Sequence, residues 1–448
     1  MHLNLKILKK IKIDAANPKK FTLFSLPYMT GLRAYTNMNP LPTYLYDAKG
    51  ILANYTLNDL MDKKDVLDKA DLKELGEVMY SPEFIRSPEI LQGSGAYQLE
   101  EWITGQKLVL KKRANWWGDK VENGNRMLKA VPEKIIYKII PDENAAISLM
   151  SNEELDVMAK INWTFFLNQK KKSQFANKYN FYTPDFFGIR MMYFNTLTEK
   201  LGDKKVRRAI AHLMNRKEIF NTVFYGYPIP VDQPAIPAAP AYNKELPLID
   251  FNVSKAKKLL KEAGWEDTNN DGIVDKEING ERINLEIDVS FSTSNEDYIA
   301  VVDIFKSNAL EAGVKLRSQV LAGKVLLTKI KSRDFDISFV SSTGYPFNLD
   351  PERKWSSRSP NNYSGFGTAE SDQLIQEIKG TIDVEKQNEL FKKLYAIIYE
   401  EQPCLFIGID KDRIIVNKKF GDITAHGFTP GFLPHEFDGN ATVLMHKN

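Results

Sequence analysis

The chain has 448 residues, with 61 lysines and arginines against 58 aspartates and glutamates, a net charge of +3, and 43% hydrophobic residues. That length sets a soft expectation of about three domains, the near-balance of charge argues against a broad nucleic-acid-binding surface, and no apolar run reaches the ~18 residues that a membrane span needs. A single cysteine, Cys404, rules out an internal disulfide or a cysteine zinc site, and five scattered histidines argue against a His-rich metal site, so neither metal nor cofactor is expected.

Residues 1–13 read MHLNLKILKKIKI, and Lys6, Lys9, Lys10 and Lys12 break what would be the apolar core of an export signal. As written, the chain carries no such signal. Residues 11–24 look extended and 57–77 helical. From Gly93 the pattern sharpens. Residues 96–101 and 107–112 predict a hairpin around Thr104-Gly105, 134–140 a strand, 143–151 a short helix and 155–159 a short strand. Residues 204–225 predict two successive helices, the second from Arg216 to Phe224. The prolines at 228, 230, 234, 237 and 240 then forbid helix and predict a rigid connecting loop.

Beyond that loop, helix is expected over 254–263, ended by Gly264, and over 297–312, ended by Gly313. Strands are expected over 283–291, 314–320 and 335–340. Helices follow at 371–378 and 384–401, then strands at 405–410 and 413–417. Alternation of this kind predicts an α/β layer. No internal repeat is present.

Several motifs resemble known chemistry without completing it. Asp267, Asn269, Asp271, Gly272 and Asp275 match the start of a calcium loop, but Ile278 stands where the bidentate glutamate belongs. An Asx-rich turn is the expected reading. Gly93-Ser-Gly95 leads into a strand, so no helix N-terminus faces a phosphate. There is no G-x-S-x-G elbow. Cys404 opens an apolar strand, which suits an inert buried thiol. No constellation demands an enzyme.

What remains is the stretch 341–368, rich in Ser, Asn, Gly and Pro and without period. Long loops of that kind are usually functional. Tyr345 and Trp355 would offer aromatic walls there, and Ser342, Thr343 and Asn361 adaptable hydrogen bonds.

Segments in a fixed order carry a resemblance. They are Gly93-Ser-Gly-Ala-Tyr97 with Trp102, Lys112-Arg-Ala-Asn-Trp-Trp117, and Lys205-Val-Arg-Arg-Ala-Ile210 with Asn215-Arg216 and Tyr225-Gly226. Further along come Leu259-Leu-Lys-Glu-Ala-Gly-Trp265 with Asp271-Gly272, Asp350-Pro351, Asn362-Tyr-Ser-Gly-Phe366 and Asp372-Gln-Leu-Ile375. Together they resemble the family 5 extracellular solute-binding proteins, receptors of peptide and nickel ABC transporters, over about residues 85–420.

The resemblance implies an α/β, periplasmic-binding-protein-like two-lobe fold (type II), with the first lobe incomplete at its N-terminus. Residues 1–85 would be a remnant of the N-terminal lobe or an extra domain, 86–194 a segment of lobe I, 195–410 the ligand-binding lobe II, and 411–448 a return to lobe I. It implies a monomeric, non-enzymatic binding component, periplasmic or lipid-anchored, whose partners are a peptide or small solute and the permease subunits of an ABC importer. A nickel or metal-chelate receptor, or a truncated non-binding fragment, are the alternatives. The family's N-terminal lipoprotein signal and K-x-H-D-G region have no counterpart here.

The cleft would be lined by the 341–368 loop and by the strand from Arg190 to Asn195, with Arg190, Met192 and Tyr193 facing the ligand. Peptide receptors of the family hold the ligand's amino group with an acidic residue next to the strand that here ends at Val340. Tyr345 or Gly344 stands there, and no carboxylate occurs between Asp336 and Asp350. Blocked, cyclic or anionic ligands are therefore expected at least as readily as free-amine peptides.

Overall fold

The computed structural model describes residues 8–17, 20–25, 41–56, 59–60, 64–121, 124–293, 297–343, 350–438 and 441–445. The chain divides into two compact units, one formed by Met1–Leu26, Gly31–Pro184 and Asp412–Asn448, the other by Pro27–Thr30 and Asp185–Lys411.

The first unit is built on a seven-stranded sheet. Its spatial order is Tyr97–Ile103, Lys107–Lys112, Lys134–Ile139, Ala441–Met445, Val157–Ala159, Ile414–Asn417, Tyr179–Tyr182. The predicted hairpin is present, with Leu99 opposite Leu110 and Ile103 opposite Lys107. Two interior strands come from the C-terminal part of the chain. Ala441–Met445 pairs parallel to Lys134–Ile139, and Ile414–Asn417 pairs antiparallel to both Val157–Ala159 and Tyr179–Tyr182. Buried Ile135, Val157, Ile414, Val416, Phe432 and Phe437 form one core on this sheet. The helix Trp163–Lys171, which the sequence reading did not anticipate, buries Trp163, Phe165 and Phe166, and Asn162 caps it by accepting from the Phe165 N–H at 2.7 Å.

Near the N-terminus, Leu8–Ile13 and Phe21–Ser25 pair as an antiparallel hairpin. The helix expected over 57–77 is divided. Within its described part, Lys64–Leu67 and Ala70–Tyr80 are separate helices, because Lys69 adopts extended backbone.

The second unit is built on a five-stranded mixed sheet, ordered Lys315–Leu321, Glu286–Ser292, Ile337–Thr343, Asp185–Phe194, Cys404–Lys411. The first three strands run parallel, and Asp185–Phe194 is antiparallel to both of its neighbours. The parallel strands require helical crossovers, and Asp297–Leu310 and Gly323–Ser332 supply them. Gly313 follows the first helix at φ +77°, where an added Cβ would stand 2.9 Å from Val274 Cγ1, so only glycine fits that turn.

The predicted helix pair is Lys204–His212 and Arg216–Val223, divided where Asn215 caps the second helix by accepting from the Glu218 N–H. The helix Val384–Glu401 lays Leu390, Phe391, Leu394, Tyr395 and Ile398 on a core shared with Met191, Tyr193 and Phe406 of the sheet. Their i, i+4 spacing makes that one face of the helix.

The unit boundaries fall at 184/185 and 411/412, where the sequence reading placed them at 194/195 and 410/411. The ten residues 185–194 move to the second unit because they form the strand between Ile337–Thr343 and Cys404–Lys411. Leaving them out would strip both neighbours of a hydrogen-bonding partner.

Candidate functional site

The three parallel strands of the second unit, and Cys404–Lys411 beside them, end at the same edge of the sheet at which Asp185–Phe194 begins. Ligands of open α/β sheets bind outside the carboxyl ends of the strands. The chain enters and leaves the unit at this edge too, and the two terminal residues pair, Lys411 Nζ to Asp185 Oδ1 at 2.5 Å.

Arg190 lies inside this edge, opposite Ser341 on one neighbouring strand and Gly408 on the other. Its Nη2 donates to Asp410 Oδ2 at 2.6 Å, and the two side chains are only 14% and 10% exposed. The guanidinium carbon stands 4.6 Å from the Phe224 ring centroid and 5.4 Å from that of Tyr298, within cation–π range. Burial opposes its charge, but Asp410, Tyr298 and Asp297 together outweigh that cost and keep the guanidinium protonated. Its Nε and Nη1 are shielded from solvent with no acceptor among the described residues.

Strand pairing is irregular at this carboxylate, between Ile409 and Lys411, and again just before it, between Phe406 and Gly408. Such irregularities redirect side chains next to sites. Gly408 fits because Ile229 crosses it, exchanging backbone hydrogen bonds with Ile409 at 2.9 and 2.8 Å. A Cβ at 408 would stand 2.7 Å from the Ile229 carbonyl oxygen.

The residues nominated from sequence do not converge on one surface. Side chains alternate along a strand, so Arg190 and Met192 share a face and Tyr193 takes the other. Met192 is fully buried, and Tyr193 belongs to the core beneath Val384–Glu401, its ring edge-on to Tyr363 at 6.3 Å. Trp355 is 4% exposed in that same core, edge-on to Phe366 at 6.3 Å, so it is a packing residue and not an open wall.

The segment after Asp350 owes this to its short helix Pro351–Trp355 and to buried Asn362, whose Nδ2 donates to the carbonyls of Ser356 and Phe366. Asn361 is half-buried on the Tyr363 side and accepts from its hydroxyl at 3.3 Å. Ser342 and Thr343 continue the strand to the edge, opposite Ile189 and Gly188. Tyr345 lies outside the described residues.

Asp410, Phe224 and Tyr298 were not anticipated. The one available signal was a carboxylate closing the apolar run 404–409, a costly placement unless it is paired.

Several residues of the recurring motifs have structural work. Arg207 is buried and donates through Nε, Nη1 and Nη2 to the carbonyls of Leu201, Gly202, Glu401 and Gln402, closing the end of Val384–Glu401. Arg216 pairs with Asp232 at 2.7 and 2.8 Å and reaches the Val231 carbonyl, pinning the proline-rich loop to the helix pair. In the Asp267–Asp275 turn, Asp267 and Asn269 accept from backbone N–H groups within the turn, and Asp275 is taken by Thr268 and Arg282. Among the described residues, no grouping of three or more His, Cys, Asp or Glu could hold a metal ion. Burial pushes the Cys404 thiol well up.

Each of the two units is an α/β structure, and the second presents a charged and aromatic strand edge. The chain belongs to the bacterial extracellular solute-binding proteins, family 5, whose sequence profile ("family 5 Middle") matches residues 27–364. It is 26% identical over 324 residues to the oligopeptide-binding protein AppA of Bacillus subtilis, covering 70% of this chain and 56% of that protein. It is 22% identical over 322 residues to the dipeptide-binding protein of Escherichia coli, covering 70% and 55%. The chain thus spans little more than half the length of these curated relatives.

Among solved structures, AppA of Bacillus subtilis in complex with a nonapeptide aligns at TM-score 0.69 and 22% identity, covering 96% of this chain and 78% of that one. NikZ of Campylobacter jejuni in complex with Ni(L-His) aligns at 0.71 and 19%, covering 95% and 76%. These likenesses establish the periplasmic-binding-protein-like α/β fold.

Proposed function

We propose that the chain is the substrate-binding component of an ABC importer, a non-catalytic receptor that captures peptides or a related small solute outside the cytoplasm and delivers it to permease subunits. The family match across residues 27–364 carries this reading. Peptides lead because the relatives cited include oligopeptide- and dipeptide-binding proteins. The receptor works as a monomer, periplasmic or lipid-anchored. No helix among the described residues is long and apolar enough to cross a membrane.

Capture takes place at the carboxyl edge of the five-stranded sheet, with Arg190 contributing charge. Binding of this kind needs orientation and desolvation but no bond-making groups. Native mass spectrometry of the purified full chain tests the proposal. The expected result is a co-purified small solute, released on mild activation and exchangeable for added peptide. A chain that carries no solute and takes up no added peptide would refute it.

A further inference from the structure

The strand Lys315–Leu321 is the outermost of the five-stranded sheet. Glu286–Ser292 pairs with one side of it, and no strand among the described residues pairs with the other. An open edge is a template for another chain, and proteins usually blunt it with a proline, a bulge, a very short strand, a covering element or charges held over it. This strand has seven residues, contains no proline and keeps an unbroken register from Lys315 opposite Glu286 to Leu321 opposite Ser292. Its polar side chains are drawn back over the sheet. Lys315 Nζ reaches Glu286 at 2.8 Å, Arg317 Nε reaches Asp288 at 2.7 Å, and Gln319 Nε2 donates to Asp288 at 2.7 Å.

The ladder fixes which backbone groups face outward. The Lys315 N–H donates to the Leu285 carbonyl at one end, and the Thr293 N–H to the Leu321 carbonyl at the other. In a parallel pair alternate residues bond to the partner. Lys315, Arg317, Gln319 and Leu321 therefore spend their backbone on the ladder, and Leu316, Ser318 and Val320 turn their N–H and C=O groups away from the sheet. Ser318 is exposed, and Val320 is 46% exposed.

Side chains alternate as well. Lys315 and Arg317, 49% and 50% exposed, share one face, and Leu316, Ser318 and Val320 share the other. An added strand would thus meet bases on one face and apolar groups on the other. Acids opposite Lys315 and Arg317 would mirror Glu286 and Asp288 on the inner side, whereas bases there would set like charges directly opposite each other.

We propose that Lys315–Leu321 docks an extended segment of a protein partner, one that carries acidic residues on the Lys315–Arg317 face and apolar residues beside Leu316 and Val320. The docking does not depend on the solute-binding reading.

Two heptapeptides test it, each with an N-terminal fluorophore and a C-terminal amide. In antiparallel register TVTTEVE sets glutamates opposite Arg317 and Lys315, and TVTTKVK sets lysines there. Binding to the full chain is read by fluorescence anisotropy, and the backbone amides by hydrogen exchange. TVTTEVE is expected to bind about tenfold more tightly than TVTTKVK and to slow exchange at Leu316, Ser318 and Val320. Ser318→Pro removes one outward N–H and no ladder bond, a placement that edge strands tolerate. It is expected to melt as the parent does and to lose TVTTEVE.

Equal affinity for the two peptides overturns the proposal, as does binding of neither. Binding that leaves exchange at the three amides unchanged puts the peptide elsewhere, the solute site included, and overturns it. Undiminished binding in Ser318→Pro overturns it too. A dimer of the peptide-free parent that Ser318→Pro abolishes overturns it in favour of a second copy at this edge. The exchange measurement on the parent decides the matter even where the substitution prevents folding.

Discussion

At residue scale, Gly408 shows how tightly the edge is built. Gly408→Ala would set a methyl group 2.7 Å from the Ile229 carbonyl and 2.8 Å from Phe220 Cζ. Backbone cannot yield as a side-chain tip can, so the substitution is expected to destabilise by about 1–3 kcal/mol, read from the denaturant midpoint. The Arg216–Asp232 pair is a second case, at 9% and 3% exposure. Arg216→Met strands a buried carboxylate and should cost about 3–5 kcal/mol, whereas Arg216→Met with Asp232→Leu should cost less than the two single changes summed. Additivity in that double-mutant cycle would mean the two groups are not coupled.

His212 sets a pH expectation. It is 2% exposed, with Nδ1 2.8 Å from the Asp250 carbonyl, and burial lowers its pKa against the pull of Asp250, while Lys255 and Arg208 push the same way as burial. The unfolded imidazole therefore binds protons first. Stability associated with neutral His212 is fully present above about pH 6.5 and is lost as pH falls below that value through the lower pKa of the folded state. His212→Asn keeps a donor for Asp250 without the titration, and its melting temperature should fall less between pH 7 and pH 5 than that of the parent.

Elements were legible where one signal dominated. The hairpin 97–112 shows alternation around a turn, and Gly264 and Gly313 mark helix ends directly. The strand 185–194 (DFFGIRMMYF) shows no alternation, because both of its faces are largely buried, so its facing could not be read, and Met192 and Tyr193, which lie on opposite faces, were grouped together. Strand Ala441–Met445 pairs with residues about 300 positions earlier, a partnership no local pattern encodes. The long loop is legible only by its composition, which singles out Ser342, Thr343 and Asn361 as ligand groups; its neighbours Asn362, Ser364 and Ser356 are buried and tie the backbone of the segment together.

The Asp267–Asp275 turn, whose carboxylates are spent on the protein itself, yields an element-scale expectation. Calorimetry with added calcium should show no binding in the micromolar range that is lost in Asp271→Ala, and such binding would show the turn to be a true metal loop.

At the scale of the whole molecule, the two units differ in how the chain supplies them. Every strand of the five-stranded sheet lies between Asp185 and Lys411, one continuous stretch. The seven-stranded sheet instead takes two interior strands, Ile414–Asn417 and Ala441–Met445, from beyond that stretch. Without them, among the described residues, Val157–Ala159 has no neighbouring strand on either side and Tyr179–Tyr182 loses the strand it pairs with. The units should therefore respond differently to dissection. A fragment of residues 185–411 keeps its sheet, both crossover helices, the core under Val384–Glu401 and the Asp185–Lys411 ion pair that joins its ends, and at this size it can bury a sufficient core of its own. It is expected to fold alone, with a cooperative thermal transition and dispersed amide resonances. A fragment of residues 1–184 would expose unpaired strand edges and is expected to aggregate or to melt without cooperativity. Circular dichroism and NMR on the two fragments decide the matter. A non-cooperative 185–411 fragment would mean that this unit draws its stability from outside its own stretch of chain.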